Sequence, residues 1–363
     1  MSGSSANRMR YIGTRITSTV HEKIAQCLEE SEMSMETVTQ NIRKVDNRTQ
    51  VGKMNSYPFE GNRDMEAVLE LLLTCKANKS IDHFLPFMLR LVLTPSSLLS
   101  STSIDLGTDV RFWKKHDGTV CGFALVDLSV WGLFYLVSPS EEGGELEQEI
   151  LSWACNRTSH ISRGESITLR CRRVREDNSK RISSLARQGF RRDTDREGLR
   201  MVRPLDVPLD EPLMPRGFKI RHLSGPDDID AYVALVNSAI PEATSVETHQ
   251  RWIKTPEYIP ELDLIAVADD GTFAAFCQSY YDPLDLARST RREGWTDPIG
   301  TAPAYRKKGL ARAIVLEALW RLKRRGIEDA VLGVAGSNEA AQKLYESIGY
   351  RVIYKMYDYV KVL

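Results

Sequence analysis

The chain has 363 residues, with 49 Lys plus Arg against 49 Asp plus Glu, 42% hydrophobic residues and 27% charged residues. This composition excludes a disordered polyelectrolyte and a membrane protein, and zero net charge removes the basic surplus that generic nucleic-acid or membrane-surface binding needs. At about 100–200 residues per domain, the length predicts two domains.

Residues 1–50 are predicted to form an N-terminal extension. The first ten residues are polar and lack the apolar core of a secretory signal. Met35, Val38, Ile42 and Val45 recur at helical spacing, which predicts one helix. No residue pattern in this extension indicates a chemical function.

Apolar runs and cysteines favour a cytoplasmic protein. The longest apolar run near the front, residues 84–93, is broken by Arg90 and falls far short of the roughly 20 residues that span a bilayer. The six cysteines form no C-x-x-C pair, which argues against a zinc site and a thioredoxin-type redox pair. We therefore expect buried thiols in a reducing compartment, no metal and no membrane partner.

Residues 51–203 and 217–363 are predicted to be two related domains joined by a proline-rich linker, residues 204–216. The linker has four prolines within twelve residues, which remove the N–H groups that a helix or central strand needs. The two halves share an ordered pattern, which indicates a duplication. The first shared part is a strand, an Asp-Gly turn and a second strand, at residues 115–123 and 268–276. The second is a strand that ends in a proline and leads into a helix, at 136–155 and 300–322. The third is a helix that ends at a glycine followed by an aromatic residue, at 185–191 and 345–351.

The second half contains a strand that runs into a basic, glycine-containing turn at the start of a helix. The strand is predicted over residues 295–301, and the helix over 310–322 with Gly326 ending it. Free N–H groups at a helix N-terminus attract anions, and a glycine lets an anion approach the backbone. Residues 303–325 include eight basic residues and one acidic residue. This pattern suits a phosphorylated ligand, although a basic surface helix would have the same composition.

The order of further motifs adds a family resemblance. Arg306, Gly309 and Ala311 form an R-x-x-G-x-A motif, and Asn338 and Tyr345 follow in a segment ending in Gly-Tyr-Arg. Together they resemble the Gcn5-related N-acetyltransferase (GNAT) family, sharply over residues 262–354 and more loosely back to 217. The resemblance implies an α/β fold (an α+β mixed sheet) with two tandem GNAT-like domains, each a central, mostly antiparallel sheet flanked by helices. This arrangement is similar to that of mycothiol synthase-like proteins.

The resemblance implies an acetyl-CoA-dependent N-acetyltransferase that acts on a small-molecule or peptide amine. Tyr345 would protonate the departing thiolate, and Glu293 and Asp297 are the candidate general bases near the active strand. A backbone N–H at about residues 299–301 would stabilise the oxyanion. The residues expected to bind the cofactor are Ile299, Gly300, Thr301, Arg306, Lys307, Lys308, Gly309, Leu310, Ala311 and Asn338.

The first half is predicted to be a degenerate copy. It has Glu141, Glu142 and Glu145 where the second half has its basic turn, and these carboxylates would repel a pyrophosphate. Leu185 stands where the second half has Tyr345, and it cannot donate a proton. We therefore expect the N-terminal copy to be catalytically inactive and to shape the substrate cleft.

Alternative functions remain open at this level. A non-catalytic acyl-CoA-binding or sensing protein would keep the fold and the cofactor loop without turnover. Residues 157–203 contain thirteen arginines, but six acids accompany them and Phe190 is the only aromatic residue, which argues against a nucleic-acid partner. The protein could be a monomer or a homodimer.

The acceptor amine is not defined by a motif. We expect residues 245–258 and 282–293 to form its cleft. Trp252, Tyr258, Tyr280 and Tyr281 would suit an apolar or cationic acceptor, but they would serve equally well as core residues.

Overall fold

A computed structural model describes residues 55–81, 84–93, 104–128, 132–240 and 244–363. The predicted extension and its helix lie outside the described residues. Five cysteines of the described part are buried and free of disulfides. In these ranges, no helix is both long and apolar enough to cross a membrane. Nor does this part of the chain contain a cluster of three or more His, Cys, Asp or Glu side chains that could hold a metal ion.

The strands and helices of the described chain follow a similar order in its two halves, except that the second half has an additional short helix at Pro283–Arg288. The strands are β1 Asn55–Pro58, β2 Val110–Lys114, β3 Val120–Asp127, β4 Gly132–Val137, β5 Thr168–Arg175, β6 Arg191–Pro204, β7 Phe218–His222, β8 Asp263–Ala268, β9 Phe273–Tyr280, β10 Glu293–Thr301, β11 Asp329–Ala335 and β12 Arg351–Val362. The helices are α1 Asn62–Ala77, α2 Pro86–Leu93, α3 Glu145–Ile161, α4 Ser179–Arg187, α5 Ile229–Ala239, α6 Val246–Trp252, α7 Pro283–Arg288, α8 Leu310–Arg324 and α9 Glu339–Ile348. Three short 3₁₀ turns lie at Pro226–Asp228, Pro260–Leu262 and Pro303–Tyr305.

The two halves exchange their last strands and thereby share one sheet. The twelve strands have the order β1-β2-β3-β4-β5-β12-β6-β11-β10-β9-β8-β7. Strand β12 of the second half pairs antiparallel with β5 of the first half, and β6 of the first half pairs antiparallel with β11 of the second. The exchanged strands also pair with each other. The mixed α/β fold is as expected, but the two expected sheets are joined into one.

The predicted Asp-Gly hairpins are confirmed in both halves. Gly118 and Gly271 adopt φ values of 85° and 88°, which glycine tolerates without steric cost. In each turn the aspartate carboxylate accepts the backbone N–H two residues on, at 2.9 Å from Asp117 to Thr119 and 2.9 Å from Asp270 to Thr272. The local hydrogen bond explains why the same turn forms in two different surroundings.

Helices of the first half are fastened to the second half. The Lys76 Nζ lies 2.8 Å from an Asp285 oxygen, and the Phe87 backbone N–H donates to Asp282 Oδ2 at 2.7 Å. Arg90 forms an ion pair with Glu257. Leu85 and Phe87 also join a buried cluster whose other members come from the sheet: Val202, Tyr280, Trp295 and Val331. Helix α2 is therefore a fixed part of the surface of the second half.

The predicted linker has no regular secondary structure over residues 205–215, as its prolines require. It is nevertheless packed on the second half. Leu205 is buried, and the carboxylate of Asp210 lies 2.6 Å from Arg312 Nη2 on α8. The linker therefore runs along the helix that follows the basic turn.

Candidate active site

Strands β10 and β11 diverge near the middle of β10. They pair in parallel only at their first three positions, ending at Trp295 opposite Val331. On its other edge, β10 stays paired with β9 as far as Thr301, with a bulge between Thr296 and Ile299. The divergence opens a wedge in the sheet beyond Trp295.

An open groove of about 650 Å³ lies where β10, the basic turn, α8 and α9 meet. Nine of the ten residues predicted to bind the cofactor line it: Ile299, Gly300, Thr301, Arg306, Lys307, Gly309, Leu310, Ala311 and Asn338. Lys308 is absent from this lining. Its Nζ lies 5.1 Å from the ring centre of Tyr305 and 5.8 Å from that of Phe218.

The basic turn presents the N-terminus of α8 to the open groove. Lys307 and Gly309 have positive φ values of 62° and 85°, so the chain turns sharply before the helix begins at Leu310. The first turn of α8 contains no acidic residue. The Arg306 Nε donates to the Thr301 carbonyl at 3.2 Å and ties the turn to the end of β10. The free N–H groups and dipole of α8 therefore face the groove as an anion site.

Tyr345 lines the same groove from α9 and is 7% exposed. Burial raises the pKa of its phenol well above the usual value of 10.0, and the nearby Asp297 carboxylate raises it further. Its ring packs against Tyr350, whose hydroxyl lies 2.7 Å from Thr296 Oγ1 on β10. Tyr345 is thus held protonated beside the wedge.

Asn338 has a structural role as well as a place in the groove. Its side-chain oxygen accepts the Ala341 N–H at 3.2 Å and caps α9. Capping fixes the start of the helix that carries Tyr345. The side-chain oxygen of Asn338 therefore already accepts a hydrogen bond within the protein.

A second cavity, here called the aromatic cavity, has a volume of about 250 Å³. Its walls come from α2, α6, β9 and β10, with the rings of Phe87, Trp252 and Tyr280 in mutual contact at centroid distances of 5.3 to 6.0 Å. Val331 packs with α2, whereas its neighbour Leu332 packs with α8. Successive strand residues face opposite sides of a sheet. The aromatic cavity and α8 therefore lie on opposite faces.

Asp297 lies in the bulge of β10 and lines the aromatic cavity. Burial raises the pKa of its carboxyl above the ordinary value, despite the opposing effects of Arg173, the Gly333 N–H and Arg200. The Gly333 N–H belongs to β11, so the carboxyl reaches across the wedge between the diverging strands. Asp297 is the one acidic residue in the described lining of this cavity.

Glu293, the other predicted base, lies at the start of β10. One of its carboxylate oxygens accepts Arg200 Nη2 at 2.9 Å, and the residue lines neither the open groove nor the aromatic cavity. Asp297 lies four positions further along the strand, which corresponds to about 13 Å at about 3.3 Å per residue. The structure therefore brings Asp297, but not Glu293, to the wedge.

The corresponding wedge in the first half is filled by its own side chains. Strands β4 and β5 pair only at Leu133 opposite Cys171. The Arg181 guanidinium lies 3.5 Å from the ring centre of Tyr135 and donates to its carbonyl at 3.0 Å. The Gly143 N–H, in the turn before α3, donates to the buried carboxylate of Glu147 at 2.7 Å.

Sequence reasoning missed the contribution of the first half to the aromatic cavity. Phe87, Met88 and Leu91 of α2 line it, and the sequence offered only a short apolar run as a signal. Of the aromatic residues that were predicted to be either acceptor contacts or core, Trp252 and Tyr280 line the cavity. The predicted cleft segment 245–258 contributes α6, whereas residues 282–293 contribute support rather than lining.

A buried polar cluster lies behind the cavity wall. His249 lines the cavity, and its Nε2 is 3.7 Å from Asp263 Oδ2, with side chains 5% and 1% exposed. Burial raises the pKa of Asp263 to about 7, opposed by the nearby phenols of Tyr232 and Tyr258. Burial lowers the pKa of His249 to about 4. His249 is therefore a neutral wall residue at neutral pH.

Comparison with known proteins finds acetyltransferases among the matches. The profile of the acetyltransferase (GNAT) family matches residues 232–350. The mycothiol acetyltransferase of Thermobispora bispora is 32% identical over 173 residues, covering 45% of this chain and 56% of that protein. The mycothiol acetyltransferase of Rhodococcus erythropolis is 34% identical over 168 residues, covering 43% of this chain and 54% of that protein. The matched region thus spans about half the length of these relatives.

Solved structures extend the similarity of fold to both halves. A GCN5-related N-acetyltransferase from Sphaerobacter thermophilus superposes with a TM-score of 0.66 at 20% identity, covering 86% of this chain and 97% of that one. A tandem GNAT protein from the clavulanic acid biosynthesis pathway superposes with a TM-score of 0.60 at 14% identity, covering 85% and 98%. The two-part fold of the described chain is thus a known one.

Proposed function

Because the chain belongs to the GNAT superfamily, whose acetyltransferases use acetyl-CoA as donor, we propose that it transfers the acetyl group of acetyl-CoA to the amine of a small-molecule or peptide acceptor. One observation carries the proposal. The open groove and the aromatic cavity lie at the same wedge of the sheet, with Tyr345 on the groove side and Asp297 on the cavity side. A donor and an acceptor could therefore meet from opposite faces.

The residues of the open groove fit coenzyme A. The N–H groups at the start of α8 would bind the pyrophosphate, and Arg306 and Lys307 add positive charge beside it. The edge of β10 that no longer pairs with β11 would bind the extended arm through its backbone. The bound cofactor supplies an acetyl group activated as a thioester.

Two side chains of the wedge would move the protons of the reaction. Asp297 accepts the proton that the attacking amine loses, and Tyr345 donates its phenolic proton to the departing sulfur. An N–H near Ile299 to Thr301 stabilises the negative charge that develops on the carbonyl oxygen. The balance is one C–N bond formed, one C–S bond broken, and one proton moved to Asp297 and one from Tyr345.

We further propose that residues 51–203 form an inactive copy, joined to the catalytic residues 217–363 by the linker 204–216. The filled wedge around Arg181 and the internal bond from Gly143 to Glu147 support this, because an incoming cofactor would have to displace both. The contribution of α2 to the aromatic cavity supports a role for this copy in shaping the acceptor cleft.

Titration calorimetry with acetyl-CoA tests the cofactor site. Gly309→Glu is expected to abolish binding, because it places a carboxylate at the pyrophosphate site. Gly164→Glu is the matched control: both glycines have positive φ, 85° and 90°, and neither has an atom closer than 3.7 Å to the position of an added Cβ. Wild-type protein that does not bind acetyl-CoA would refute the proposal.

Thiol release with a panel of amines tests turnover. Tyr345→Phe is expected to lower kcat by about 10²- to 10⁴-fold, as the loss of a general acid does, while acetyl-CoA binding persists. Tight acetyl-CoA binding by the wild type without thiol release on any amine would favour the sensing alternative.

The pH profile identifies the base. A base must be deprotonated, so kcat/KM is expected to fall with unit slope as pH drops below the pKa of Asp297, which burial raises above the ordinary 3.8. Asp297→Asn is expected to remove this limb and lower kcat/KM about 10²- to 10⁴-fold. A larger loss with Glu293→Gln than with Asp297→Asn would assign the base to Glu293 instead.

A further inference from the structure

We propose that the acceptor is a primary amine on an aromatic body, bound in the aromatic cavity with its ring against Phe87, Trp252 and Tyr280 and its amine at Asp297. The inference rests on the proposed function and adds the chemical class of the acceptor. It follows from the lining, volume and charge of the cavity and from the place of Asp297 at one end of it.

The lining favours an apolar, flat ligand. Besides the three aromatic rings, α2 contributes Met88 and Leu91. Tyr280 is fixed from behind, because its ring stacks on Trp295 at 6.3 Å with only 7° between the planes. Rings in mutual contact provide large apolar area and a preference for other aromatic rings.

The volume suits a single ring with a short side chain. The cavity measures about 250 Å³. A dry, apolar protein cavity of about 150 Å³ is large enough to bind benzene. The volume that remains after one ring is placed, about 100 Å³, leaves room for an aminoalkyl group of two or three carbons. A ligand of several rings would have to extend out of the open side of the cavity.

The charge of the cavity selects an amine. Asp297 is the one acidic side chain in the described lining, and no lysine or arginine is part of that lining. An aliphatic amine is protonated in neutral water, so it would approach this carboxylate as a cation and lose one proton to water before it attacks as the neutral amine. Aromatic faces also attract a cation. The same arrangement disfavours an acceptor that carries an anionic group beside its amine.

A polyhydroxylated amine fits the cavity poorly. The side chains in the lining that could pair with hydroxyl groups include Thr244, Thr248, His249, Trp252, Thr255, Gln278 and Asp297. Of these, Thr248 already bonds Ser245 at 2.9 Å, Thr255 donates to the Trp252 carbonyl at 2.8 Å, and the amine of the acceptor would occupy Asp297. Hydroxyl groups taken into such a cavity without partners lose their hydrogen bonds to water, and this weakens binding. An amino sugar should therefore be a poor acceptor.

The first half determines this specificity through α2. Its position is set by the bond from the Phe87 N–H to Asp282 and by the ion pair of Arg90 with Glu257. Met88 therefore occupies a defined place in the wall. A larger side chain there would fill part of the cavity, and Met88 is not part of the open groove.

The experiment compares 2-phenylethylamine with glucosamine on the full chain. Thiol release is expected to give a kcat/KM at least tenfold higher for 2-phenylethylamine. Calorimetry is expected to show that 2-phenylethylamine binds the protein without acetyl-CoA. Met88→Trp is expected to weaken that binding and lower kcat/KM for this amine at least tenfold, while acetyl-CoA affinity is unchanged. Val362→Trp, at a 67% exposed residue near the C-terminus, is the matched control.

The outcomes separate this inference from the proposed function. Acetylation of glucosamine in preference to 2-phenylethylamine would overturn the aromatic class while the acetyltransferase stands. Unchanged kinetics and binding in Met88→Trp would also overturn it, because the amine would then bind elsewhere. A third outcome is that the wild type does not bind acetyl-CoA but does bind 2-phenylethylamine, and that Met88→Trp weakens this binding. That result would refute the proposed transferase and support the assignment of the aromatic cavity as the amine site.

Discussion

Gly300 is predicted to be a position at which one added methyl group disturbs both folding and catalysis. It lies on β10, lines the open groove, and its Cα faces Phe276 on β9 and Ala239 on α5. A Cβ at this position would lie 2.4 Å from Phe276 Cε1, 2.7 Å from its Cζ and 2.9 Å from Ala239 Cβ. Favourable contacts between carbon atoms need about 3.5–4.0 Å. The strand or the ring must therefore move by about 1 Å.

The ring of Phe276 has little freedom to retreat. It is fully buried and its far side meets Tyr232, with ring centres 5.8 Å apart. Overpacking of this kind costs about 1–3 kcal/mol of unfolding free energy. If β10 moves instead, the N–H groups at the wedge shift by about 1 Å, and a displacement of that size can cost about 10²-fold in rate. We expect Gly300→Ala to show both losses.

Urea denaturation and thiol release measure the two effects. Gly198→Ala on β6 is the matched control, because its added Cβ would meet Met356 Cε at an ordinary 3.8 Å. Its stability is expected to be unchanged or raised, by up to about 1 kcal/mol. The Gly300→Ala penalty is expected to be smaller in a Phe276→Leu background, where Cε1 and Cζ are absent. Equal stability and equal kcat in the two glycine variants would refute the steric argument.

Two further predictions concern ionised groups. The Lys76–Asp285 pair joins the halves at 2.8 Å with side chains 14% and 12% exposed, and a double-mutant cycle with alanine is expected to give a coupling of about 1–3 kcal/mol. The Arg288–Glu70 pair, at 2.9 Å but 56% and 57% exposed, is expected to give less than about 1 kcal/mol, and equal couplings would contradict the role of burial. Burial raises the pKa of Asp263 to about 7, so its stabilising contribution is complete below the ordinary pKa of 3.8 and is lost as pH rises through 7. The urea midpoint of the wild type should therefore fall relative to Asp263→Asn between about pH 4 and pH 7 and level off above that, and a difference that stays constant with pH would contradict this.

The features that the sequence predicted correctly depend on residues close together in the chain. The Asp-Gly hairpins form through a hydrogen bond across two residues and a positive φ at glycine. Helix α8 ends before Gly326, whose φ is 74°, as its sequence pattern predicted. The basic turn places Arg306 and Gly309 at the open groove for the same reason, because the strand, turn and helix that contain them are consecutive.

The choice between the two candidate bases needed the folded chain. Glu293 and Asp297 are both carboxylates on one strand, and nothing in their spacing ranks them. The bulge of β10 and the divergence from β11 bring Asp297 into the wedge, while Arg200 of the first half engages Glu293. The two carboxylates differ in their neighbours: Asp297 faces Gly333 on β11, and Glu293 pairs with Arg200 on β6. Both neighbours are distant from the carboxylates in sequence.

By itself, the sequence predicted the local elements and the basic turn beside the open groove, since each depends on backbone geometry and periodicity within short segments. The duplication and the cofactor-binding role of residues 299–311 stay predictions. Only the tertiary structure decided the exchange of β6 and β12 and the place of α2 in the aromatic cavity. Strand exchange depends on pairing between residues more than a hundred positions apart, for which a strand carries no local signal. The cavity depends on how the two halves pack, and this is why an apolar run such as Pro86–Leu93 becomes a wall of the aromatic cavity only in the folded chain.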